Sequence, residues 1–285
     1  MRRLYGTKQV GHTGTLDPMA TGLLVVLVGR AVKASEYLVS DRKEYTAELQ
    51  LGLRTDTEDT TGRVLARCEN LPDAEKVEKV CAFFVGRQTQ IPPMYSALKV
   101  GGKKLYDLAR QNVEVERQPR EIEIFHLDCA PIDEEAGRYS LNVSCSKGTY
   151  IRTLCADIGE KLSCGGAMAA LHREANGAFH IENAQTLDEL RALTAEERIS
   201  KLLPVESLFS DLPAVDLPPF YRRLCSSGCP IYLKKISADF PIGARVRLIA
   251  DGVFFALGEV GEYEEGIAVK ALKQFVLFGK EIEKC

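Results

Sequence analysis

A glycine-rich segment near the start of the chain presents a single carboxylate. Residues 11–22 are Gly-His-Thr-Gly-Thr-Leu-Asp-Pro-Met-Ala-Thr-Gly, and the apolar run Leu-Leu-Val-Val-Leu-Val-Gly follows over 23–29. Glycine accepts conformations closed to other residues, and Pro18 biases Asp17 toward an extended backbone. The apolar run has the length and β-branching of a strand buried on both faces. The pattern predicts a loop of defined conformation that places Asp17, as a nucleophile, just before the start of a buried strand. The alternative is an ordinary Asp-Pro turn.

Composition limits the class of protein. The chain has 285 residues, 45% hydrophobic and 27% charged, which predicts a globular protein with one large and one small domain. No apolar run has the length of a membrane helix, and the basic first residues lead into no signal core, so we expect a cytoplasmic protein without membrane contact. The nine cysteines are an odd number and lack metal-ligand spacing, which predicts reduced thiols and no metal site.

Periodicity predicts alternating strands and helices. Apolar residues alternate with polar ones over 43–52 and 138–146, as in strands with one buried face. Helical spacing predicts helices over 73–85, 103–111 and 150–162, and the last of these has Arg152 in its first turn. Capping boxes that begin at Thr186 and Thr194 predict two further short helices.

The last quarter of the chain has a different pattern. Prolines at 213, 218 and 219 indicate a boundary, and Asp251-Gly252 between two apolar runs predicts a β-hairpin over 245–257. Residues 267–276 predict further short strands. The fold class is therefore α+β, with a mixed, mainly antiparallel sheet flanked by helices over 1–211, a long excursion over 86–120, and a small β-rich domain over 212–285.

Charge is segregated along the chain although the formal net charge is only −3. Residues 86–120 hold seven basic and three acidic side chains, whereas residues 181–211 hold three basic and seven acidic ones. Such segregation suits a one-sided contact with a polyanion, and its alternative is an ordinary solvated face.

The segment Gly-His-Thr-Gly-Thr-Leu-Asp-Pro, with the Ala-Thr-Gly that follows, resembles the catalytic motif of the TruB family of bacterial tRNA pseudouridine synthases. The resemblance runs from about Lys8 to Leu190 and more loosely to the end. It implies the pseudouridine synthase fold, a thumb over 86–120 that clasps the T arm of tRNA, and an RNA-binding PUA-like domain over 212–285. It also implies a monomer that isomerises the T-loop uridine at tRNA position 55 by base flipping, without a cofactor.

The resemblance assigns roles to five residues of the site. Asp17 would be the catalytic carboxylate, as nucleophile or as base on the ribose, and Arg152 would pair with it and favour its ionised form. Tyr45 would stack on the target base, His12 would fill the space that the base leaves, and Leu171 would line the uracil pocket. The residues alone also permit plainer roles: a core tyrosine and leucine, a surface histidine and an exposed helix arginine.

Basic residues of the thumb and of two later segments are candidates for RNA contact. They are Lys99, Lys103, Lys104, Lys147 and Arg173.

The chain departs from the family pattern at its start. Family members begin with an apolar strand and a Lys-Pro segment, whereas Met1 here lies ten residues before Gly11. We expect this difference to expose a sheet edge and to weaken the support of the Asp17 loop. A second hypothesis is therefore a non-catalytic tRNA-binding or folding protein. A metabolic enzyme with an anion-binding glycine loop is a third, although the loop lacks Gly-Lys-Ser/Thr.

Overall fold

The computed structural model describes residues 1–37, 42–96, 98–111 and 113–276. The described residues form two compact units. The central unit comprises Gly14–Val25 and Val39–Ala184, and the terminal unit comprises Met1–Thr13, Val26–Leu38 and Gln185–Cys285, each without the undescribed residues in these ranges. Within the described ranges, every helix is too short or too polar to cross a lipid bilayer.

Both units are built mainly from β-strands. In chain order they are β1 Val10–His12, β2 Thr21–Gly22, β3 Val26–Val28, β4 Arg42–Leu51, β5 Leu53–Thr55, β6 Val64–Arg67, β7 Gly86–Gln90, β8 Lys99–Val100, β9 Lys103–Lys104, β10 Arg120–Asp133, β11 Arg138–Ser146, β12 Gly166–Asn176, β13 Phe179–His180, β14 Ala214–Asp216, β15 Ile231–Tyr232, β16 Arg245–Ala250, β17 Val253–Tyr263 and β18 Gly266–Gln274. The α-helices are α1 Ala74–Phe83, α2 Leu105–Ala109, α3 Ile151–Lys161, α4 Leu187–Ala192, α5 Ala195–Ser200 and α6 Pro219–Ser226.

A mixed sheet forms the framework of the central unit. Its strands lie in the order β13, β12, β4, β11, β10, β7, all antiparallel, and β2 adds a short parallel pairing with β12. The register places Tyr45 of β4 between Val143 of β11 and Arg173 of β12. This confirms the predicted mixed, mainly antiparallel sheet.

The predicted period-2 strands are confirmed as β4 and β11. Their inward residues are almost fully buried: Tyr45, Ala47, Leu49, Leu51, Tyr139, Leu141, Val143 and Cys145. Helices α1 and α3 contribute Val77, Cys81, Leu154 and Ile158 to the same core. Helix α1 begins where the Asp73 carboxylate accepts a hydrogen bond from the Lys76 amide, a common N-cap.

Two predicted elements in the first half of the chain differ from the structure. The helix expected over 103–111 begins later, as α2, because Lys103–Lys104 is paired with Lys99–Val100. Gly101 and Gly102 turn this small hairpin with positive φ of 58° and 81°. The prediction of a continuous buried strand over 23–29 is wrong. Only Val26–Val28 is a strand, since its partner β1 has three residues, and Leu24 is 40% exposed.

The terminal unit is built on a second sheet, in the order β14, β16, β17, β18, β15. The hairpin predicted at Asp251-Gly252 is confirmed: both residues have positive φ, which matches the right-handed twist of the strands. Residues 266–274 form one strand instead of several short ones. Both capping boxes are confirmed at α4 and α5. The predicted boundary at 211/212 lies inside this unit, just before β14, and the RNA-binding role of 212–285 stays a prediction.

Candidate active site

The Asp17 loop of the central unit is closed by tight backbone contacts. The Ala20 amide donates to the Asp17 carbonyl at 2.9 Å, which makes a turn directly after the carboxylate. Gly22 has a φ of +97°, and a Cβ at this position would lie 2.4 Å from the Arg173 carbonyl oxygen. Only glycine therefore allows the end of the loop to approach β12 this closely.

Asp17 and Arg152 form a bidentate ion pair. Arg152 Nε donates to Asp17 Oδ2 at 2.8 Å, and Nη2 donates to Oδ1 at 2.9 Å. The Arg152 side chain is 5% exposed, whereas that of Asp17 is 31% exposed. The geometry fixes the carboxylate in one orientation and holds it next to a positive charge while leaving part of it open to solvent.

Two carbonyl groups complete the surroundings of the Arg152 guanidinium. Nη1 donates to the Thr57 carbonyl at 3.2 Å, and Nη2 also donates to the Tyr95 carbonyl at 2.9 Å. The Thr57 carbonyl belongs to a loop shaped by buried Asp59, whose carboxylate accepts bonds from the Thr61 amide and from the hydroxyls of Thr57 and Thr61. Arg152 is therefore held from three segments that lie far apart in sequence.

Helix α3 sets the position of Arg152. Ile151, Leu154, Cys155 and Ile158 are buried on its apolar stripe, as the sequence predicts. Arg152 lies in the first turn, also as predicted, but it is buried and not exposed. The plainer expectation of a solvated helix arginine is therefore wrong, because the Asp17 carboxylate and two main-chain carbonyls accept hydrogen bonds from the guanidinium in place of water.

A second carboxyl group lies near Arg152. Glu58 has a left-handed φ of 63°, and its Oε2 accepts a hydrogen bond from Thr153 Oγ1 at 2.6 Å. Burial raises the pKa of Glu58, against the opposing effects of Thr153 and Arg152. Sequence reasoning missed this residue because a glutamate in a polar loop has no pattern that predicts burial.

Tyr45 lies on β4 beside the loop and is 9% exposed. Burial raises its pKa to about 12, and the Arg173 guanidinium, which hydrogen-bonds to the hydroxyl, opposes this shift. The hydroxyl therefore remains protonated at neutral pH. The ring belongs to the core of the central unit, and the negative charge of Asp17 adds a small contribution to the raised pKa of the hydroxyl.

Arg173 is 1% exposed and holds both ends of the Asp17 loop. Its Nε donates to the Leu23 carbonyl at 2.7 Å, and its Nη2 lies 3.4 Å from the Gly14 carbonyl oxygen. Lys43 is close by, and its pKa is lowered by burial, by Arg173 and by Lys147. Lys43 was missed from the sequence, although it lies two residues before Tyr45 on the same face of β4. The phosphate contact predicted for Arg173 stays a prediction.

The remaining predicted residues lie in different surroundings. Leu171 is buried on β12 in the core of the central unit, opposite Ala47. His12 is exposed at the end of β1, in the terminal unit. Lys103 is exposed in the β8–β9 hairpin, and Lys147 is exposed in the turn before α3. The backbones of Lys99 and Lys104 belong to the same hairpin, but their side chains lie outside the described part of the structure.

No group of three or more His, Cys, Asp or Glu side chains in the described ranges is arranged to hold a metal ion. The site brings together an anchored carboxylate, a protonated phenol and buried guanidinium groups.

Comparison with known proteins identifies the family. A model described as "TruB family pseudouridylate synthase (N terminal domain)" matches residues 2–151, and one described as "tRNA pseudouridylate synthase B C-terminal domain" matches residues 152–210. The chain belongs to the TruB family of pseudouridylate synthases. This membership supports a pseudouridine synthase activity, which is an isomerisation.

Curated relatives of this TruB-family chain extend over almost its whole length. It is 41% identical over 284 residues to the tRNA pseudouridine synthase B of Alkaliphilus oremlandii (strain OhILAs), covering 99% of this chain and 93% of that protein. It is 43% identical over 260 residues to the protein of the same name from Dechloromonas aromatica (strain RCB), covering 91% and 85%.

Solved structures support the fold. A chain from the crystal structure of a Cbf5-Nop10-Gar1 complex aligns with a TM-score of 0.71 at 23% identity, covering 96% of this chain and 79% of that one. A chain from an H/ACA RNP bound to a substrate RNA containing 2'-deoxyuridine aligns with a TM-score of 0.69 at 21% identity, covering 97% and 79%. At this identity the likeness concerns the fold alone.

Proposed function

We propose that this TruB-family chain converts the T-loop uridine at position 55 of tRNA to pseudouridine, with Asp17 as the catalytic carboxylate. The observation that carries the proposal is the bidentate pair between Asp17 and buried Arg152, at 2.8 and 2.9 Å, on the loop that bears the family motif. The names of the relatives support tRNA as the substrate.

Asp17 acts next to the sugar of the flipped nucleotide. The reaction breaks the bond between C1′ and N1 of uracil, turns the ring and joins C1′ to C5, so substrate and product have the same atoms. Asp17 acts either by attacking the sugar or by removing a proton from it, and both routes need the ionised carboxylate. Arg152 favours that form and directs the oxygens, because its two donors fit both of them at once.

Tyr45 and Leu171 hold the uracil. The Tyr45 ring offers a face for stacking, and Arg173 donates a hydrogen bond to its protonated hydroxyl. Leu171 supplies apolar contact to the ring.

The target base must leave its stack before Asp17 can reach the sugar. His12 occupies the space that the base leaves, and the β8–β9 hairpin with Lys99, Lys103 and Lys104 contacts the RNA backbone. Lys147, exposed beside the start of α3, contributes a further positive charge.

One assay tests this proposal and separates it from a non-catalytic RNA-binding protein. A tRNA transcript with tritium at C5 of its uridines is incubated with the protein, and tritium in water is measured together with RNA binding. Release that disappears when uridine 55 is replaced by cytidine supports the activity and the position. Binding without release supports the non-catalytic alternative.

Asp17→Asn tests the catalytic assignment, since it keeps the shape of the side chain and removes its charge. We expect tight RNA binding and no release. The matched control is Asp239→Asn, an exposed aspartate of the terminal unit, which should react like the parent chain. Release by Asp17→Asn at the parent rate would show that another group performs the chemistry.

A further inference from the structure

Gln90 is a buried glutamine whose side-chain amide makes two hydrogen bonds to the main chain of one distant residue. It ends β7 and is 4% exposed. Its Oε1 accepts a hydrogen bond from the Tyr150 amide at 2.8 Å, and its Nε2 donates to the Tyr150 carbonyl at 3.0 Å. Both distances suit one orientation of the amide group, which thus imitates a pair of sheet hydrogen bonds.

Tyr150 is the residue from which the Arg152 helix starts. It has an extended backbone at the N-cap of α3 and no side-chain cap of its own, and its carbonyl accepts the helical bond from the Leu154 amide. Gln90 therefore fixes the N-cap from outside the helix. Because Arg152 follows two residues later, a displacement of Tyr150 is passed on to the guanidinium.

The segment after Gln90 contacts Arg152 directly. Residues 91–95 lead to the Tyr95 carbonyl, which accepts from Arg152 Nη2 at 2.9 Å. Pro92 and Pro93 are buried within this segment and restrict its backbone. Arg117, at the other end of the excursion, adds a bond from its Nη1 to the Pro92 carbonyl at 3.2 Å. One short segment thus holds both the start of the helix and the arginine side chain.

We propose that Gln90 is a positioning residue for catalysis: its amide holds the Tyr150 main chain so that Arg152 meets both oxygens of Asp17. The inference rests on the proposed function, because it assigns Gln90 a part in the same site. Gln90 touches no reacting atom and acts through Arg152. Gln90 therefore links the start of the predicted RNA-contacting segment, residues 86–120, to the Asp17–Arg152 ion pair.

A merely structural role makes a different prediction. Loss of the amide would then destabilise the folded protein, as for other buried hydrogen bonds, without changing the rate of folded molecules. A positioning role affects the chemical step, since a displacement near 1 Å lowers rates by about a hundredfold.

Gln90→Leu removes both hydrogen bonds and keeps a side chain of similar size. Its matched control is Gln88→Leu on the same strand, where Nε2 donates to the Phe84 carbonyl and not to Tyr150. In single-turnover tritium release we expect Gln90→Leu to be about 10- to 100-fold slower than the parent, with unchanged RNA affinity, and Gln88→Leu to match the parent. In an Arg152→Lys background Gln90→Leu should have little further effect. An equal loss in both backgrounds would overturn the proposal.

A second measurement does not depend on activity. The Nε–H proton of Arg152 is buried against Asp17, so its exchange with water is slow and can be followed by NMR, with Arg152→Lys as the assignment control. We expect at least about tenfold faster exchange in Gln90→Leu than in Gln88→Leu. Equal exchange in the two variants overturns the positioning role, even if the parent releases no tritium. Absence of release from the parent alone overturns the proposed function.

Discussion

Asp17 and Arg152 lie 135 positions apart in the chain, yet both carboxylate oxygens of Asp17 accept a hydrogen bond from the same guanidinium. The arginine is the more deeply buried partner. A buried guanidinium that loses its carboxylate partner lowers the stability of the fold. A partly exposed carboxylate that loses its arginine can rotate. The pair therefore links the stability of the central unit to the geometry of the proposed site.

Arg152→Lys tests this link. Lysine keeps the charge but cannot serve both oxygens together with the Thr57 and Tyr95 carbonyls. We expect the single-turnover rate to fall by about a hundredfold or more, comparable to the loss of one well-placed donor, and the free energy of unfolding to fall by about 1–3 kcal/mol. Tritium release and urea denaturation measure the two effects. Arg138→Lys, in a half-exposed pair with Glu48, is the control and should change neither.

Tyr45→Phe separates stacking from the role of the hydroxyl. The ring remains in the core, so RNA binding should change little. Loss of the hydroxyl removes an acceptor from buried Arg173, so the free energy of unfolding should fall by about 1–3 kcal/mol. The rate should fall by about a hundredfold if the hydroxyl assists proton transfer at C5. Tyr139→Phe is the matched control, because Tyr139 is buried on the neighbouring strand and its hydroxyl has no partner within the described structure. An unchanged rate in Tyr45→Phe would confine Tyr45 to packing and stacking.

Gly22→Ala tests the closure of the Asp17 loop. The new Cβ would meet the Arg173 main chain at 2.4 Å in addition to the strain of φ +97°. We expect about 3 kcal/mol lower stability and a large loss of activity. Gly86→Ala is the control for strain alone, since Gly86 has a φ of +110° with nothing within 4 Å of the added carbon. If the two variants lose equal stability, the close approach to β12 has no cost of its own.

The sequence predicts those parts of the fold that depend on local periodicity. Strands β4 and β11, helix α3 and both capping boxes follow from spacing, since each buries one face or satisfies its own end. The prediction of a buried strand over 23–29 fails, because the apolar content of a segment does not show which partner strand it will pair with. Only the three residues opposite β1 become a strand.

The site is predicted less completely than the fold. Asp17, Tyr45 and Arg152 are recognised from the motif and its resemblance. The acceptors that hold Arg152 are carbonyls of Thr57 and Tyr95, and a carbonyl has no sequence signature because every residue has one. Arginines are ordinarily exposed, so neither composition nor residue spacing predicts the burial of Arg173 beside the Asp17 loop.

Lys103→Ala tests the predicted RNA contact of the β8–β9 hairpin. If Lys103 neutralises one phosphate, the slope of log affinity against log salt should become shallower by about 0.7–0.9, while the rate for bound RNA stays unchanged. Filter binding over a range of salt concentrations measures the slope. The control is Lys76→Ala, an exposed lysine on α1 outside the hairpin. Equal slopes for the two variants would remove Lys103 from the interface.

Asp157→Asn tests a pH dependence built into α3. Burial, and then the carboxylates of Glu58 and Glu160, raise the pKa of Asp157 from 3.8 to about 6. Between pH 3.8 and about pH 6 the folded state binds more protons than the unfolded state. Ionisation of Asp157 therefore lowers the free energy of unfolding as pH rises, and this loss of stability reaches its full size above about pH 7.

Replacing Asp157 by the neutral amide removes that cost. Relative to the parent, Asp157→Asn should gain little stability at pH 4 and about 1–2 kcal/mol at pH 7 to 8, a value reduced for the partial exposure of the group. Urea denaturation of both proteins at each pH measures the difference. A difference that stays constant from pH 4 to pH 8 would mean that Asp157 ionises equally easily in the folded and unfolded chains, so that burial, Glu58 and Glu160 together have no net effect on its pKa.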